Sequence, residues 1–159
     1  MSEAEDIVNN DDIIQWVTFM LEGEIYGIEV IQVQEVLRVS EIAPVPGSPD
    51  YVLGIINLRG NVVTVLDTRR RFGLPDHEIT DATRIIIIES ADNIVGILVD
   101  SVAEVVELTK SAIESSPNVG NDESSKYIAG VATLNEKLHI LVDINKLLSE
   151  EEWSEVATI

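Results

Sequence analysis

Side chains able to carry out catalysis are few and far apart in this sequence. The absence of cysteine excludes thiolate nucleophiles, disulfides and cysteine-type zinc sites. His77 follows a Pro-Asp pair in an acidic linker, where we expect it to be solvated. His139 lies between a leucine and an isoleucine in a predicted strand, so we expect it to point outward from the fold. Phosphate-binding glycine motifs are missing, and the residue spacing predicts no catalytic, metal-binding or cofactor-binding site.

Three charged features remain as candidate interaction sites. Arg59 lies at the predicted tip of an apolar hairpin, either as an exposed turn residue paired with an acid or as an interface anchor. Glu35 lies in an apolar strand, where alternation places Val33 and Glu35 on one face. That face fits either a solvated strand edge or the polar rim of a hydrophobic groove. Residues 69–71 are three arginines, which we expect to form a solvated face neutralised by nearby acids.

The charge of the chain argues against binding to nucleic acid. The 29 acidic and 10 basic residues give a net charge of −19, which repels nucleic acid and anionic lipid. The acidic surface favours solubility first and a basic partner second. Residues 1–12 lack the apolar core of a signal peptide, and no apolar run approaches the roughly 20 residues of a membrane span. We therefore expect a cytoplasmic protein without membrane insertion.

An internal duplication organises the chain. Residues 25–36 match residues 94–105 at seven of twelve positions, and residues 51–67 resemble residues 127–143. Both matches occur in the same order. The second copy contains a longer loop, rich in serine, asparagine, aspartate and glycine, at residues 115–126.

Each copy predicts about five short strands followed by a short helix. Asp67 and Asp143 are placed to cap those helices, and a capping box begins at Ser149. Aromatic residues make up only 4% of the chain, so we expect an aliphatic core. The predicted strands occupy residues 16–21, 25–30, 33–39 and the hairpin 54–67 in the first copy, and residues 84–89, 94–99, 102–108 and the hairpin 130–143 in the second.

Closure into small barrels would remove the exposed strand edges, so the pattern predicts two small β-barrels with a groove between them. Grooves between domains are preferred binding sites for ligands and partners. The predicted boundaries are a flexible acidic tail at residues 1–12, a first barrel at 13–80, a second barrel at 81–148 and a C-terminal helix and tail at 149–159.

An ordered set of motifs resembles the CheW family of chemotaxis coupling proteins. The resemblance covers about residues 14–148, and the order of the motifs makes it specific, whereas Asn-Leu-Arg-Gly alone would be weak. The motifs are Tyr26-Gly27-Ile28, Val33-Gln34-Glu35, Gly54-Ile55-Ile56-Asn57-Leu58-Arg59-Gly60, Phe72-Gly73-Leu74, Val95-Gly96-Ile97-Leu98-Val99-Asp100 and Tyr127-Ile128-Ala129-Gly130.

The resemblance implies an all-β fold with short helices, built as two intertwined five-stranded SH3-like barrels. It implies a non-catalytic scaffold, without a cofactor, that links the helical tip of chemoreceptors to the histidine kinase CheA. The receptor hairpin would occupy the groove between the barrels. By motif position, the receptor-binding residues would be Val33, Glu35 and Arg59, the kinase-binding residues Val45, Pro46 and Val119, and the structural glycines Gly54, Gly96 and Gly130.

Two other functions remain open from the sequence. A related chemosensory pathway, controlling pili or development, would use the same kind of adaptor. A protein of another class, either a small-ligand-binding β-barrel or an enzyme using acidic groups, would use the groove between the barrels as its site.

Overall fold

A computed structural model describes residues 12–114 and 126–157 of the chain. The predicted tail at residues 1–12 and the loop containing Val119 fall almost entirely outside the described residues. The strands are β1 (Ile13–Leu21), β2 (Glu24–Glu29), β3 (Val33–Arg38), β4 (Val52–Leu58), β5 (Asn61–Asp67), β6 (Arg84–Ser90), β7 (Asn93–Val99), β8 (Ser101–Thr109), β9 (Ile128–Leu134) and β10 (Lys137–Val142). The helices are α1 (Thr68–Arg71) and α2 (Glu150–Ala157), with 3-10 turns at Val30–Gln32, Lys110–Ala112 and Ile144–Lys146.

The ten strands form two five-stranded sheets that exchange hairpins. Sheet 1 has the order β8-β1-β2-β10-β9, and sheet 2 has the order β3-β6-β7-β5-β4. The β1–β2 hairpin of the first copy therefore lies among strands of the second copy, and the β6–β7 hairpin lies among strands of the first. Parallel pairing of β2 with β10, and of β7 with β5, makes this exchange. The intertwined all-β fold predicted from the sequence is confirmed.

Because of this exchange, the two predicted barrel ranges do not coincide with the two sheets. Residues 13–80 and 81–148 are the repeated units of sequence, but neither range corresponds to one sheet. Sequence similarity between the copies marks what was duplicated, whereas pairing between strands depends on which hairpins meet in space.

Short bridges join the two edges of each sheet, as in a small barrel. In sheet 2, Ala43 follows the edge strand β3 and exchanges hydrogen bonds of 2.9 and 2.8 Å with Ile55 in the other edge strand. In sheet 1, Glu114 follows β8 and exchanges two bonds of 2.8 Å with Val131 of β9. Backbone groups that would otherwise be exposed at the sheet edges are satisfied in this way.

Most of the buried apolar surface lies between the two sheets. The central cluster, which joins both sheets, contains twenty of the described buried residues, whereas each sheet encloses a smaller cluster of five. The four isoleucines of β6 show that one strand can contribute to two clusters. Ile86 and Ile88 enter the central cluster, while Ile85 and Ile87 enter the interior of sheet 2. A strand buried on both faces reads as an unbroken apolar run.

The expectation of an aliphatic core was only partly correct. The interiors of the sheets are mainly aliphatic, but all five phenylalanine and tyrosine residues of the chain lie in the central cluster. Four of them, Phe19, Tyr26, Phe72 and Tyr127, form a continuous row with ring centroids 5.8, 5.6 and 5.3 Å apart. The few aromatic residues are thus concentrated where the two sheets meet.

His139 was expected to point outward, and this prediction was wrong because the side chain is only 5% exposed. The neighbouring Ile140 belongs to the central cluster, so alternation turns His139 toward the same side as Leu141, inside sheet 1. The prediction assumed one buried face, whereas both faces of β10 are buried over most of its length.

The three arginines of α1 do not form a solvated face. Arg69 is 7% exposed and donates hydrogen bonds to Asp100 (2.8 and 2.6 Å), Glu22 (2.6 Å) and the carbonyl of Pro75 (2.6 Å). Glu22 lies in the turn of the exchanged β1–β2 hairpin, so this ion cluster ties sheet 1 to sheet 2. The guanidinium holds the pKa of Asp100 below its usual range. The expected neutralisation by acids is correct, but the expected solvation holds only for Arg70.

Arg71 joins the C-terminal helix to both copies of the repeat. Its guanidinium lies over the rings of Tyr51 and Tyr127, 5.0 and 5.4 Å from their centroids, and these tyrosines are equivalent in the duplication. It also donates bonds of 2.8 and 2.6 Å to Glu152. The predicted capping box is confirmed, with Ser149 and Glu152 bonded reciprocally at 2.8 and 3.1 Å. Burial, together with the nearby carboxylates of Glu152, Glu155 and Asp50, raises the pKa of Tyr51 to about 12.

Replacing Gly54 with alanine is expected to destabilise the fold. The added Cβ would lie 2.4 Å from the carbonyl oxygen of Ala43 in the bridge of sheet 2. We expect a loss of about 2 kcal/mol or more in the free energy of unfolding, measured by urea titration. Gly27→Ala is the matched control, because its Cβ would contact side chains alone, the nearest being a methyl of Leu141 at 3.1 Å. Equal losses for both variants would contradict the backbone clash.

Asp100→Asn is expected to destabilise the protein at neutral pH and much less in acid. Removing the carboxylate leaves Arg69 buried without its main partner, at a cost of about 3 kcal/mol. Because the pKa of Asp100 is lowered in the fold, its contribution is complete above about pH 4 and is lost as the pH falls through the folded-state pKa. Unfolding titrations at several pH values should show the two proteins converging below pH 4. A constant difference between them at all pH values would refute this assignment.

Candidate functional site

The tip of the β4–β5 hairpin is a two-residue turn with an unusual residue in it. Arg59 and Gly60 both have positive φ angles, 51° and 88°, and the amide of Gly60 donates a 2.8 Å bond to Oδ1 of Asn57. Such turns prefer Asn-Gly, because most side chains are strained at positive φ. The equivalent residue of the second copy is Asn135, with φ of 54°. Turn stability therefore favours asparagine at this position, although Glu22 and Ala91 adopt similar positive φ angles, 53° and 54°, in other hairpin turns.

Arg59 forms a bidentate ion pair with Glu35. Its Nη1 donates to Oε1 at 3.2 Å, and its Nη2 pairs with Oε2. The hydrogen bond from Arg59 lowers the pKa of Glu35, and the carboxylate raises the pKa of Arg59. The arginine side chain is 69% exposed, so the pair contributes little to stability. The ion pair holds the guanidinium of Arg59 in one orientation at the surface.

Exposed aliphatic side chains surround this pair. A cavity of about 410 Å³ is lined by Glu35, Leu58, Arg59, Val62 and Ile94, among others. Val62 is 63% exposed and Ile94 is also exposed. We call this surface the Arg59 groove. An oriented arginine beside exposed apolar residues has the composition of a protein-docking site.

Val33 does not share a face with Glu35, so the prediction from alternation was wrong. The register of β3 shifts at this point, since Val33 pairs with Ile88 whereas Glu35 pairs with Ile87. Ile88 faces the central cluster and Ile87 faces the interior of sheet 2. A β-bulge with one extra residue therefore turns Val33 toward the central cluster and Glu35 toward Arg59.

Val62 and Ile94 were not singled out by the sequence. The available signal was weak: Val62 is followed by a second valine, so one of the two had to lie on the outer face of β5. Ile94 is the second residue of β7, close to the hairpin turn, where polar residues are common. Only the pairing of β5 with β7 brings the two near each other.

The predicted kinase-binding residues lie at the other end of sheet 2. Val45 is half-buried, Pro46 is exposed, and the loop is fixed by a 2.7 Å bond from the Ser48 hydroxyl to the Val45 carbonyl. This loop precedes the start of β4, whereas Arg59 follows its end. Val119 lies outside the described residues.

The predicted structural glycines lie where an added Cβ would meet neighbouring atoms closely, backbone for Gly54 and Gly130 and side chain for Gly96. A Cβ at Gly130 would lie 2.8 Å from the carbonyl of Glu114, in the bridge that corresponds to that of Gly54. A Cβ at Gly96 would lie 2.7 Å from a methyl of Ile85.

A second cavity offers less for a small ligand. About 290 Å³ in volume, it is lined by Arg69, Asp76, His77 and Asp100, among others. Four hydrogen bonds to protein acceptors already engage Arg69, so its charge is not available to an anion. In residues 12–114 and 126–157, no three side chains are grouped as metal ligands, and no helix has the length and apolar character of a membrane span.

Arg59→Asn is expected to raise the melting temperature, although it removes an ion pair. Asparagine tolerates positive φ, as Asn135 does in the second copy, and the exposed pair contributes little. We expect an increase of the order of a few degrees by calorimetry. Asn135→Arg makes the opposite change in the second hairpin and should lower the melting temperature. A fall for Arg59→Asn would show that the ion pair, not the turn, dominates stability here.

Comparison with known proteins agrees with this architecture. The CheW-like domain family matches residues 15–152. The chain is 38% identical over 135 residues to the chemotaxis protein CheW of Bacillus subtilis, covering 85% of this chain and 86% of that protein. It is 34% identical over 145 residues to CheW of Klebsiella aerogenes, covering 91% and 87%. The crystal structure of the scaffolding protein CheW from Thermoanaerobacter tengcongensis superposes with a TM-score of 0.80, at 32% identity, over 87% of this chain and 94% of that one. The chain therefore belongs to the CheW family of chemotaxis proteins.

Proposed function

We propose that this protein is a non-catalytic scaffold that couples the cytoplasmic tip of chemoreceptors to the histidine kinase CheA. The observation that carries the proposal is the Arg59 groove, where a strained and oriented arginine lies among exposed aliphatic residues. Membership of the CheW family supports it, as does the structural relative described as a scaffolding protein. The scaffold would act in the cytoplasm and be recruited to receptor arrays.

In this proposal, a receptor helix lies in the Arg59 groove, which is lined by sheet 2 alone and not by both barrels, as the family resemblance had implied. An apolar stripe on the helix contacts Val62 and Ile94, which are already exposed. Glu35 engages Nη1 and Nη2 of Arg59, which leaves other N–H groups for an acceptor on the helix. The orientation of Arg59 is set before binding, which reduces the entropy lost on association. Val33 faces the central cluster, so it would contact the receptor at the boundary between the sheets.

The kinase would bind at the opposite end of sheet 2. Val45 and Pro46 lie in the loop before β4, and the Ala43–Ile55 bridge anchors that loop to the sheet. Because β4 separates this loop from the Arg59 groove, receptor and kinase would bind without competing. Val119, in the corresponding loop of the second copy, would be a further kinase contact.

A three-component kinase assay tests the coupling directly. Adding the purified protein to CheA and a receptor signalling hairpin should place kinase activity under receptor control. Pull-down of each partner alone should succeed as well. Failure to bind either partner would overturn the proposed function.

Reversing the charges of the Arg59–Glu35 pair should separate receptor binding from folding. We expect Arg59→Glu and Glu35→Arg each to weaken receptor binding at least tenfold, measured by calorimetric titration, with an ordinary thermal melt. The double variant restores an ion pair but places the guanidinium on β3, so its thermal melt should stay ordinary and receptor binding should remain weak. Full recovery of binding in the double variant would mean that the pair acts only structurally. Unchanged affinity in both single variants would refute the assignment.

The kinase contact provides the matched control. Pro46→Glu should weaken binding to CheA and leave receptor binding unchanged, because the loop and the groove lie at opposite ends of β4. Loss of both interactions in this variant would indicate a general defect of the fold.

A further inference from the structure

The duplication relates the Arg59 groove to a second groove in sheet 1. The second groove has a volume of about 270 Å³ and lies beside the β9–β10 turn. All of its lining residues except Met20 are the sequence equivalents of residues in the first groove, so the two surfaces have a common origin. The equivalent pairs are Glu35 with Glu104, Leu58 with Leu134, Arg59 with Asn135, Asn61 with Lys137, Val63 with His139, Ile87 with Thr18 and Ile94 with Ile25.

The second groove keeps the acid and lacks the arginine. Asn135 replaces Arg59, and among the described residues no cation forms an ion pair with Glu104. Lys137 also lines the groove, but it is not paired with this carboxylate. The segments outside the described residues contain no lysine, arginine or histidine. Glu104 is therefore an exposed carboxylate without the partner that its equivalent has.

The missing arginine leaves one end of sheet 1 open. Glu104 belongs to the edge strand β8, and Leu134 ends the other edge strand, β9. The Glu114–Val131 bridge joins these edges at one end only. In sheet 2, the corresponding edges are joined by the Ala43–Ile55 bridge at one end and by the Arg59–Glu35 pair at the other.

The backbone of Glu104 is held in place although its side chain is not. The hydroxyl of Thr18 donates a 2.6 Å bond to the Glu104 carbonyl and accepts a 3.0 Å bond from the Glu104 amide. These bonds lie at the β-bulge between β1 and β8. The carboxylate is thus presented from a fixed position at the mouth of the groove.

We propose that this second groove takes an arginine side chain from a partner protein, in the position that Arg59 fills in the first groove. A planar guanidinium can pair with both oxygens of Glu104. Its methylene stem would lie against Met20, Ile25 and Leu134 in the lining. The ammonium of Lys137 repels any positively charged side chain that enters the groove. Arginine offsets this repulsion by pairing with both oxygens of Glu104, which lysine cannot do, so the groove binds arginine better than lysine.

The test is a titration of the full chain, labelled with ¹⁵N, with a peptide of sequence acetyl-Ala-Leu-Arg-Leu-Ala-amide. A second peptide replaces arginine with citrulline, which has nearly the same shape and no charge. We expect saturable shifts centred on the amides of residues 104, 135 and 139 with the arginine peptide. We expect at least fivefold weaker binding with the citrulline peptide.

Variants locate the site. Glu104→Gln should weaken peptide binding at least fivefold, and Asn135→Arg should abolish it by filling the groove from within the chain. Glu107→Gln is the control, because it removes an exposed carboxylate from the same strand and should leave the affinity unchanged. The amide spectrum of each variant reports whether the fold is retained.

Equal binding of the two peptides, unchanged affinity in Glu104→Gln, or shifts centred on Glu35 would each overturn the proposal. Receptor binding by Glu104→Gln should remain normal, because the Arg59 groove is intact. This measurement distinguishes a failure of the second groove from a failure of the proposed coupling function.

Discussion

The exchange of hairpins between the two sheets is the constraint on which the rest of the structure depends. Because β1–β2 and β6–β7 each complete the sheet of the other copy, neither copy can close its sheet alone. The exchange also forces the two sheets against each other, and the largest apolar cluster forms between them. Separating the sheets would expose the aromatic row together with Ile86 and Ile88, so the two halves should unfold as one unit.

Two arginines of α1, of which Arg69 is buried and Arg71 is half-buried, reinforce this junction. Arg69 reaches the exchanged hairpin through Glu22, and Arg71 lies between the equivalent tyrosines of the two copies. Both arginines belong to the first copy, and the second copy has Asn145 and Leu147 at the corresponding positions. Arg71 contacts the equivalent tyrosines of both copies at once, so one arginine serves both copies at this position.

Divergence at the hairpin tips has a different basis. Asn135 suits its turn and Arg59 does not, although both have nearly the same φ. The bulges that orient Glu35 and Glu104 are present in both copies. The duplication thus supplied two similar grooves, of which the first contains an arginine in an unfavourable conformation and the second contains an unpaired acid.

The sequence by itself determined the strands and the caps at Asp67, Asp143 and Ser149, because these depend on local periodicity and turn chemistry. It also showed the duplication and the resemblance to CheW, because both depend on matching residues in the same order along the chain. It also placed Arg59 at a hairpin tip. Only the tertiary structure decided the exchange of hairpins, the burial of His139 and Arg69, and the separation of Val33 from Glu35. Each of these depends on pairing between distant strands or on a one-residue bulge. Alternation along a single strand cannot reveal whether its second face meets water or another sheet.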